Sequence, residues 1–217
     1  MRNALLSSTV HRMIIFTRVR RLQDRLSISA ALISGITIPL LPATAEVHES
    51  WEFGFQTGYL VQAGDNTPID YHLIPIEWIA LAPNHFSGSF GDSGKNFWSI
   101  RPRFALITEI FAKGPESYYL AFSAAPVLTI GREDFDFAWF AMVGGGFGAL
   151  DSTDVEGGQG QDFTLNWFAQ SGITWAAAEN ITLLGGIMFQ HLSNGGQTDP
   201  NPGIDAVGFT FGISGSF

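Results

Sequence analysis

Near its end the chain carries His191 and Ser193, two residues apart, and Asp205, fourteen residues after the histidine. These three side-chain types support one familiar chemistry. A serine hydroxyl is a poor nucleophile until a base takes its proton. Imidazole is that base, and a carboxylate holds the ring in the useful tautomer and stabilises the imidazolium. Between them lie Asn194, Gly196 and Asn201, whose N–H groups are candidate donors to the oxyanion of an acyl-transfer intermediate. The histidine–x–serine spacing alone is a weak signal. It equally describes ordinary polarity where a strand meets a loop, and Asp205 alone equally describes a loop-capping residue.

The chemistry depends on what positions these groups. After residue 45 the sequence alternates apolar and polar residues with a period of two, the mark of strands. Trp51, Phe53, Phe55, Tyr59 and Val61 share one face of a first segment, opposite Glu52, Gln56 and Gln62. Further segments are expected near 69–82, 96–111, 118–130, 135–149, 162–176, 181–193 and 204–217. Pro75 sits awkwardly within the second, because proline withholds a ladder donor. Residues 83–95 are rich in Gly, Ser and Asn and read as a connection, as does the acidic stretch from Leu150 to Gln161.

The beginning of the chain has a different character. Six arginines precede an apolar run from Leu26 to Leu41, which ends at Ala43-Thr44-Ala45. This is the pattern of a cleaved export signal, so 1–45 is expected to be a signal peptide and 46–217 the mature domain. The alternative is an uncleaved anchor helix. Met13 offers a second start. Without the leader the chain keeps five of 11 basic residues and 19 of 20 carboxylates, a net charge of −14. That excludes a phosphate-binding nucleic-acid partner. The sequence has no cysteine, hence no disulfide or thiolate chemistry, and its five histidines show no metal-ligand spacing. No cofactor or metal is expected. His48, His72 and His85 read as structural or solvated.

Eight amphipathic segments, each long enough to cross a bilayer at a tilt, predict an all-β, eight-stranded antiparallel transmembrane β-barrel. A soluble sandwich is the alternative that periodicity leaves open. Export and a final aromatic strand (Val207, Phe209, Phe211, Ile213, Phe217) favour the barrel, in which the sheet must close because lipid tolerates no open edge. Arg101 and Arg103 fall on an inward face and are expected to pair with Glu52 or Glu77. With both termini on the periplasmic side, His191 and Ser193 top the seventh strand and Asp205 starts the eighth. Parity places all three on the lipid-facing side at the outer rim. A polar cluster on that face costs about 2–4 kcal/mol for a cation at mid-bilayer and much less near the interface. Such a cost argues for a function exerted on a lipid.

His191-Leu192-Ser193-Asn194, followed by Pro200-Asn201-Pro202-Gly203-Ile204-Asp205, resembles the signature of the PagL-type lipid A 3-O-deacylases. In that family H-x-S-N precedes P-N-x-G-I-E at the same spacing. The likeness is specific over 191–205 and general elsewhere, with a similar strand entry at Leu165-Asn166. Position 205 is Asp where the family has Glu, one methylene longer. The resemblance implies an eight-stranded outer-membrane barrel acting on lipid A or lipopolysaccharide without a cofactor. It implies Ser193 as nucleophile, His191 as general base and acid, Asp205 as orienting acid, and Asn194 and Asn201 as oxyanion donors. The competing functions are an outer-membrane phospholipase with the same chemistry and a non-catalytic structural or adhesive barrel. A pore is disfavoured because eight strands leave an interior filled by side chains. Homodimerisation is left open.

Overall fold

The computed structural model describes residues 50–65, 67–83 and 86–216. The expected signal peptide, His48, His85 and the terminal Phe217 lie outside them. Among the described residues there are nine strands and no helix. They are β1 (Glu52–Gln62), β2 (His72–Leu81), β3 (Phe86–Phe90), β4 (Asn96–Lys113), β5 (Tyr118–Arg132), β6 (Phe137–Leu150), β7 (Phe163–Ala178), β8 (Ile181–Ser193) and β9 (Ile204–Ser216).

Every neighbouring pair is antiparallel, and the sheet closes. β1 pairs with β9 from Glu52↔Ser216 to Gln62↔Ala206, while β2 and β3 both pair with β4. β2 takes the part of β4 from Arg103 to Lys113, and β3 takes Asn96 to Ile100. They are two pieces of one stave, so the barrel has eight staves. This corrects the expectation that 83–95 is a connection throughout. β4 extends seven residues beyond its pairing with the end of β2 at Leu81↔Arg103, and its first residues need a hydrogen-bonding partner. Phe86–Phe90 supplies it despite lacking a long apolar alternation. Gly88 fits there because a Cβ would stand 2.9 Å from Trp98 Nε1.

Pro75 is accommodated. The β1–β2 ladder skips the pairs between Thr57↔Ile76 and Leu60↔Leu73, so no donor is missed opposite the proline. The Thr57 hydroxyl donates to the Pro75 carbonyl at 2.8 Å instead.

The burial pattern is that of a membrane barrel. Phe209 is 73 % exposed, Val143 and Phe211 64 %, and Leu106 62 %, all on the outer face. Polar side chains fill the interior. Arg101 meets Glu52 at 2.6 Å, and Arg103 meets Glu77, as the inward parity of these residues predicted. Gln170 bridges Gln56 and Thr210 across the lumen. The two ends differ. Leu60, Tyr71, Leu73, Phe111, Leu192 and Ile204 pack solidly below the long loops. Toward the short turns the lumen opens into a cavity of about 300 Å³ beside Arg101 and Phe140. The loop-rich end is the outward end of such barrels. The candidate residues therefore lie at the end whose lumen is filled by packed apolar side chains.

Candidate active site

The site is built where β8 leaves the barrel and β9 re-enters it. Inside-facing residues of these strands are even-numbered: Met188, Gln190 and Leu192 on β8, and Ile204 and Ala206 on β9, all buried. His191, Ser193 and Asp205 consequently face outward, and all three are half-buried. His191 and Asp205 are direct cross-strand partners. The imidazole Nδ1 lies 2.6 Å from Asp205 Oδ1. Asp205 is fixed from its other flank as well, since its carbonyl accepts the Ala63 N–H at 2.8 Å.

Trp167 on β7 pairs with His191 from the opposite side, with ring centroids 5.9 Å apart at 31°. The ring is thus held between an indole and a carboxylate, with Nδ1 engaged and Nε2 left as its second nitrogen. Ser193 is two residues farther along the same face, opposite Leu165. Among the described residues no hydrogen bond joins its hydroxyl to His191. The structure therefore brings the histidine and the acid together and leaves the serine adjacent but unbonded. Unliganded catalytic hydrogen bonds are often open in this way and tighten around substrate.

The lipid A 3-O-deacylase (PagL) family matches the chain over residues 84–214. The chain belongs to this family. Among solved structures it is similar to the outer-membrane enzyme PagL, with 17% identity, a TM-score of 0.53, and 74% of this chain and 97% of that chain covered. It is also similar to neisserial surface protein A (NspA), with 9% identity, a TM-score of 0.51, and 80% of this chain and 100% of that chain covered. At these identities the likeness shows the fold alone, a closed outer-membrane barrel. No curated protein matches the chain. As a member of the deacylase family with this fold, the protein is a bacterial outer-membrane barrel.

The loop beyond Ser193 differs from the sequence expectation. Asn194 is completely buried. Its side-chain nitrogen donates to the carbonyls of Gln159 and Thr198 at 2.6 Å and of Pro200 at 3.4 Å. Its side-chain oxygen accepts the N–H groups of Gly196 at 2.8 Å and Gln197 at 3.2 Å. The Asn194 N–H itself donates to Asn201 Oδ1 at 3.0 Å. Asn194 and Gly196, expected as oxyanion donors, therefore spend these N–H groups inside the loop. A short polar side chain beside positive-φ glycines is well suited to tying a turn together. Asn201 uses its oxygen here, which leaves its amide nitrogen as a candidate donor.

Sequence reasoning missed the residues that hold this loop. Gln159, fully buried in the loop between β6 and β7, accepts from Asn194 through its backbone carbonyl. Its side-chain oxygen accepts from Gly203 N at 3.1 Å. It thus clamps both ends of the loop 194–203. Behind it, Glu116 accepts hydrogen bonds from Ser152 Oγ at 2.9 Å and Tyr71 Oη at 3.0 Å. Burial beside Glu116 raises the Tyr71 phenol well above its ordinary value, which keeps it a proton donor. No local motif announces these contacts, because they join four loops far apart in the chain. His72, expected to be structural or solvated, has partners on both nitrogens, Tyr59 and Asp70. The Asp70-x-His72 spacing was the available signal: on a strand, residues two apart share a face.

Proposed function

We propose that this family member is a serine esterase that removes the 3-O-linked acyl chain of lipid A from the outer leaflet, using Ser193, His191 and Asp205. One observation carries the reading: a histidine–carboxylate pair stands on the lipid side of the barrel's outer rim, with a serine next to it on the same face. Ionisable groups are placed there at a cost, and an ester bond lies at that depth in a glycolipid.

The steps follow from the groups present. Ser193 Oγ attacks the ester carbonyl carbon while His191 Nε2 takes its proton. Asp205, at Nδ1, holds the ring and stabilises the imidazolium. The oxyanion is met by the Asn201 amide and by water or backbone N–H groups at the rim. Collapse breaks the bond to the sugar oxygen, which leaves as a hydroxyl with the proton from His191, and the acyl group stays on Ser193. Water, deprotonated by His191, then releases the fatty acid and restores the serine. Asp at position 205 suits this role because the direct cross-strand register already places its shorter side chain at 2.6 Å from the ring.

The test is the mass of lipid A extracted from Gram-negative cells expressing the wild type or Ser193→Ala. Loss of one hydroxyacyl chain with the wild type alone supports the reading. Unchanged lipid A with released phospholipid fatty acid replaces it with phospholipase activity. No change in any lipid leaves a non-catalytic barrel.

A further inference from the structure

The outer rim carries a second polar cluster on the lipid side, two strands from the first. The Tyr59 hydroxyl is hydrogen-bonded to His72 Nδ1. His72 Nε2 lies 3.2 Å from Asp70 Oδ1, and Lys113 Nζ donates to Asp70 Oδ2 at 2.6 Å. We propose that this cluster is a subsite for the phosphate ester of an outer-leaflet glycolipid headgroup, with Lys113 as the binding group and His72 and Asp70 as residues that position it.

Three observations lead there. The first is a register shift. Leu73 pairs with Phe111, but His72 pairs with Lys113, so β4 carries an extra residue at this point. Strict alternation would send Lys113 inward with Phe111. The bulge re-aims it beside His72, and bulges recur where a side chain is redirected for use.

The second is the scarcity of positive charge. Among the described residues, Lys113 is the one Lys or Arg at the outer end. Arg101 and Arg103 are paired inside the lumen, and Lys95 and Arg132 are paired with Asp134 at the short-turn end. The outer loops are acidic, with Asp151, Asp154 and Glu156 among them. Lys113, whose charge is shared with Asp70, is therefore the one place on that surface where an ammonium can meet a phosphate, and such contrast sets where an anion docks. The Lys113 side chain is 58 % exposed, and only one of its three N–H groups is needed by Asp70.

The third is placement. His72 is level with Val61 on β1 and Val207 on β9, and Asp205 is one outward-facing position higher on β9. With strands about 4.8 Å apart, Lys113 and the His191–Asp205 pair are on the order of 15 Å apart across the surface. Between and below them the wall is apolar, with Val61 and Phe209 exposed. A glycolipid seated with a phosphate at Lys113 lays its acyl chains on that wall, with an ester near Ser193. Tyr59, Asp70 and His72 lie outside the residues matched by the family, so the family match does not assign this cluster.

The class of lipid rests on the deacylase reading, so the experiment scores binding on a chain that cannot turn over. Full-length Ser193→Ala protein in detergent micelles is titrated with phosphorylated lipid A, with the same lipid after phosphatase treatment, and with phosphatidylglycerol. Adding Lys113→Ala is expected to weaken binding of the phosphorylated glycolipid about fivefold. It leaves the other two lipids unchanged, and Lys113→Arg retains binding. Lys113→Gln serves as a second neutral variant, with circular dichroism as the check on folding. No loss, or an equal loss with the dephosphorylated lipid, overturns the subsite. An equal loss with phosphatidylglycerol overturns the assignment to a glycolipid. Failure of the wild type to deacylate would sink the esterase reading while leaving this binding comparison intact.

Discussion

The outer rim holds two histidine–aspartate pairs, and their differences show how identical residue types acquire different uses. In the first, Asp205 approaches His191 at Nδ1 from the neighbouring strand, and both side chains are 26 % exposed. The ring leans on Trp167, and a serine follows two residues later. In the second, Asp70 approaches His72 at Nε2 from two residues earlier in its own chain, and Asp70 is 56 % exposed. Tyr59 occupies the other nitrogen and Lys113 shares the carboxylate. One pair keeps a ring nitrogen in reserve beside a hydroxyl. The other uses both nitrogens and offers an ammonium group. On the proposed readings the first moves a proton and the second holds a charge.

Substitutions can break this contrast. The largest expected effect is from His191→Ala, or from Asp205→Asn, which spoils the tautomer. Each should lower kcat for deacylation by on the order of 10⁴-fold. His72→Ala should instead leave kcat in place and raise KM for phosphorylated lipid. Equal kcat losses at the two histidines would erase the distinction.

Asp205→Glu sharpens it further. The resemblance to the deacylase signature implies Glu at this position, yet the carboxylate already reaches the ring in this register, so an added methylene displaces the imidazole. A loss of up to about 100-fold in kcat is expected, in keeping with the cost of misplacing a catalytic group by about 1 Å. A gain in kcat would show that Asp205 is the compromised residue.

A smaller effect is expected at the clamp. Gln159→Ala removes the acceptor for Gly203 N in a buried site, with a cost of about 1–3 kcal/mol to the local stability of 194–203. Amide hydrogen exchange should show faster opening of that loop and unchanged protection in the segment 72–81. Uniform protection across both regions would argue against the clamp.

The smallest is a pH effect in the adjoining loop. The Thr153 side chain hydrogen-bonds Asp162, which also accepts N–H groups from Thr153 at 2.7 Å and Ser152 at 3.0 Å, and together these hold its carboxyl below the usual value. Because the folded value is the lower one, the contribution is complete above the ordinary value of 3.8. It fades as pH falls through the depressed value. Exchange in 151–162 should therefore accelerate below about pH 4, and Asp162→Asn should remove the acid dependence. Acceleration that persists in Asp162→Asn would assign it to another carboxylate.

Much of the molecule is written in its alternation. Because strand side chains change face at every residue, the outward placement of His191, Ser193 and Asp205 could be read from their parity with Ile187, Phe189 and Val207. The inward placement of Arg101 and Arg103 follows in the same way. The site's spacing was equally legible, since three groups within fifteen residues on adjacent strands must come close if the strands pair.

Tertiary structure alone decided the rest. Whether His191 sits directly opposite Asp205 depends on the register of β8 with β9, which no local pattern specifies. Whether the Asn194 side-chain amide remains available depends on carbonyls that fold onto it, one of them delivered from Gln159, thirty-five residues away. The pairing of Lys113 with His72 depends on a bulge whose extra residue is counted only when two strands are laid side by side. Periodicity is a property of one strand and survives in the sequence. Hydrogen bonds between strands and loops belong to pairs of segments, and only closure of the barrel brings those pairs together.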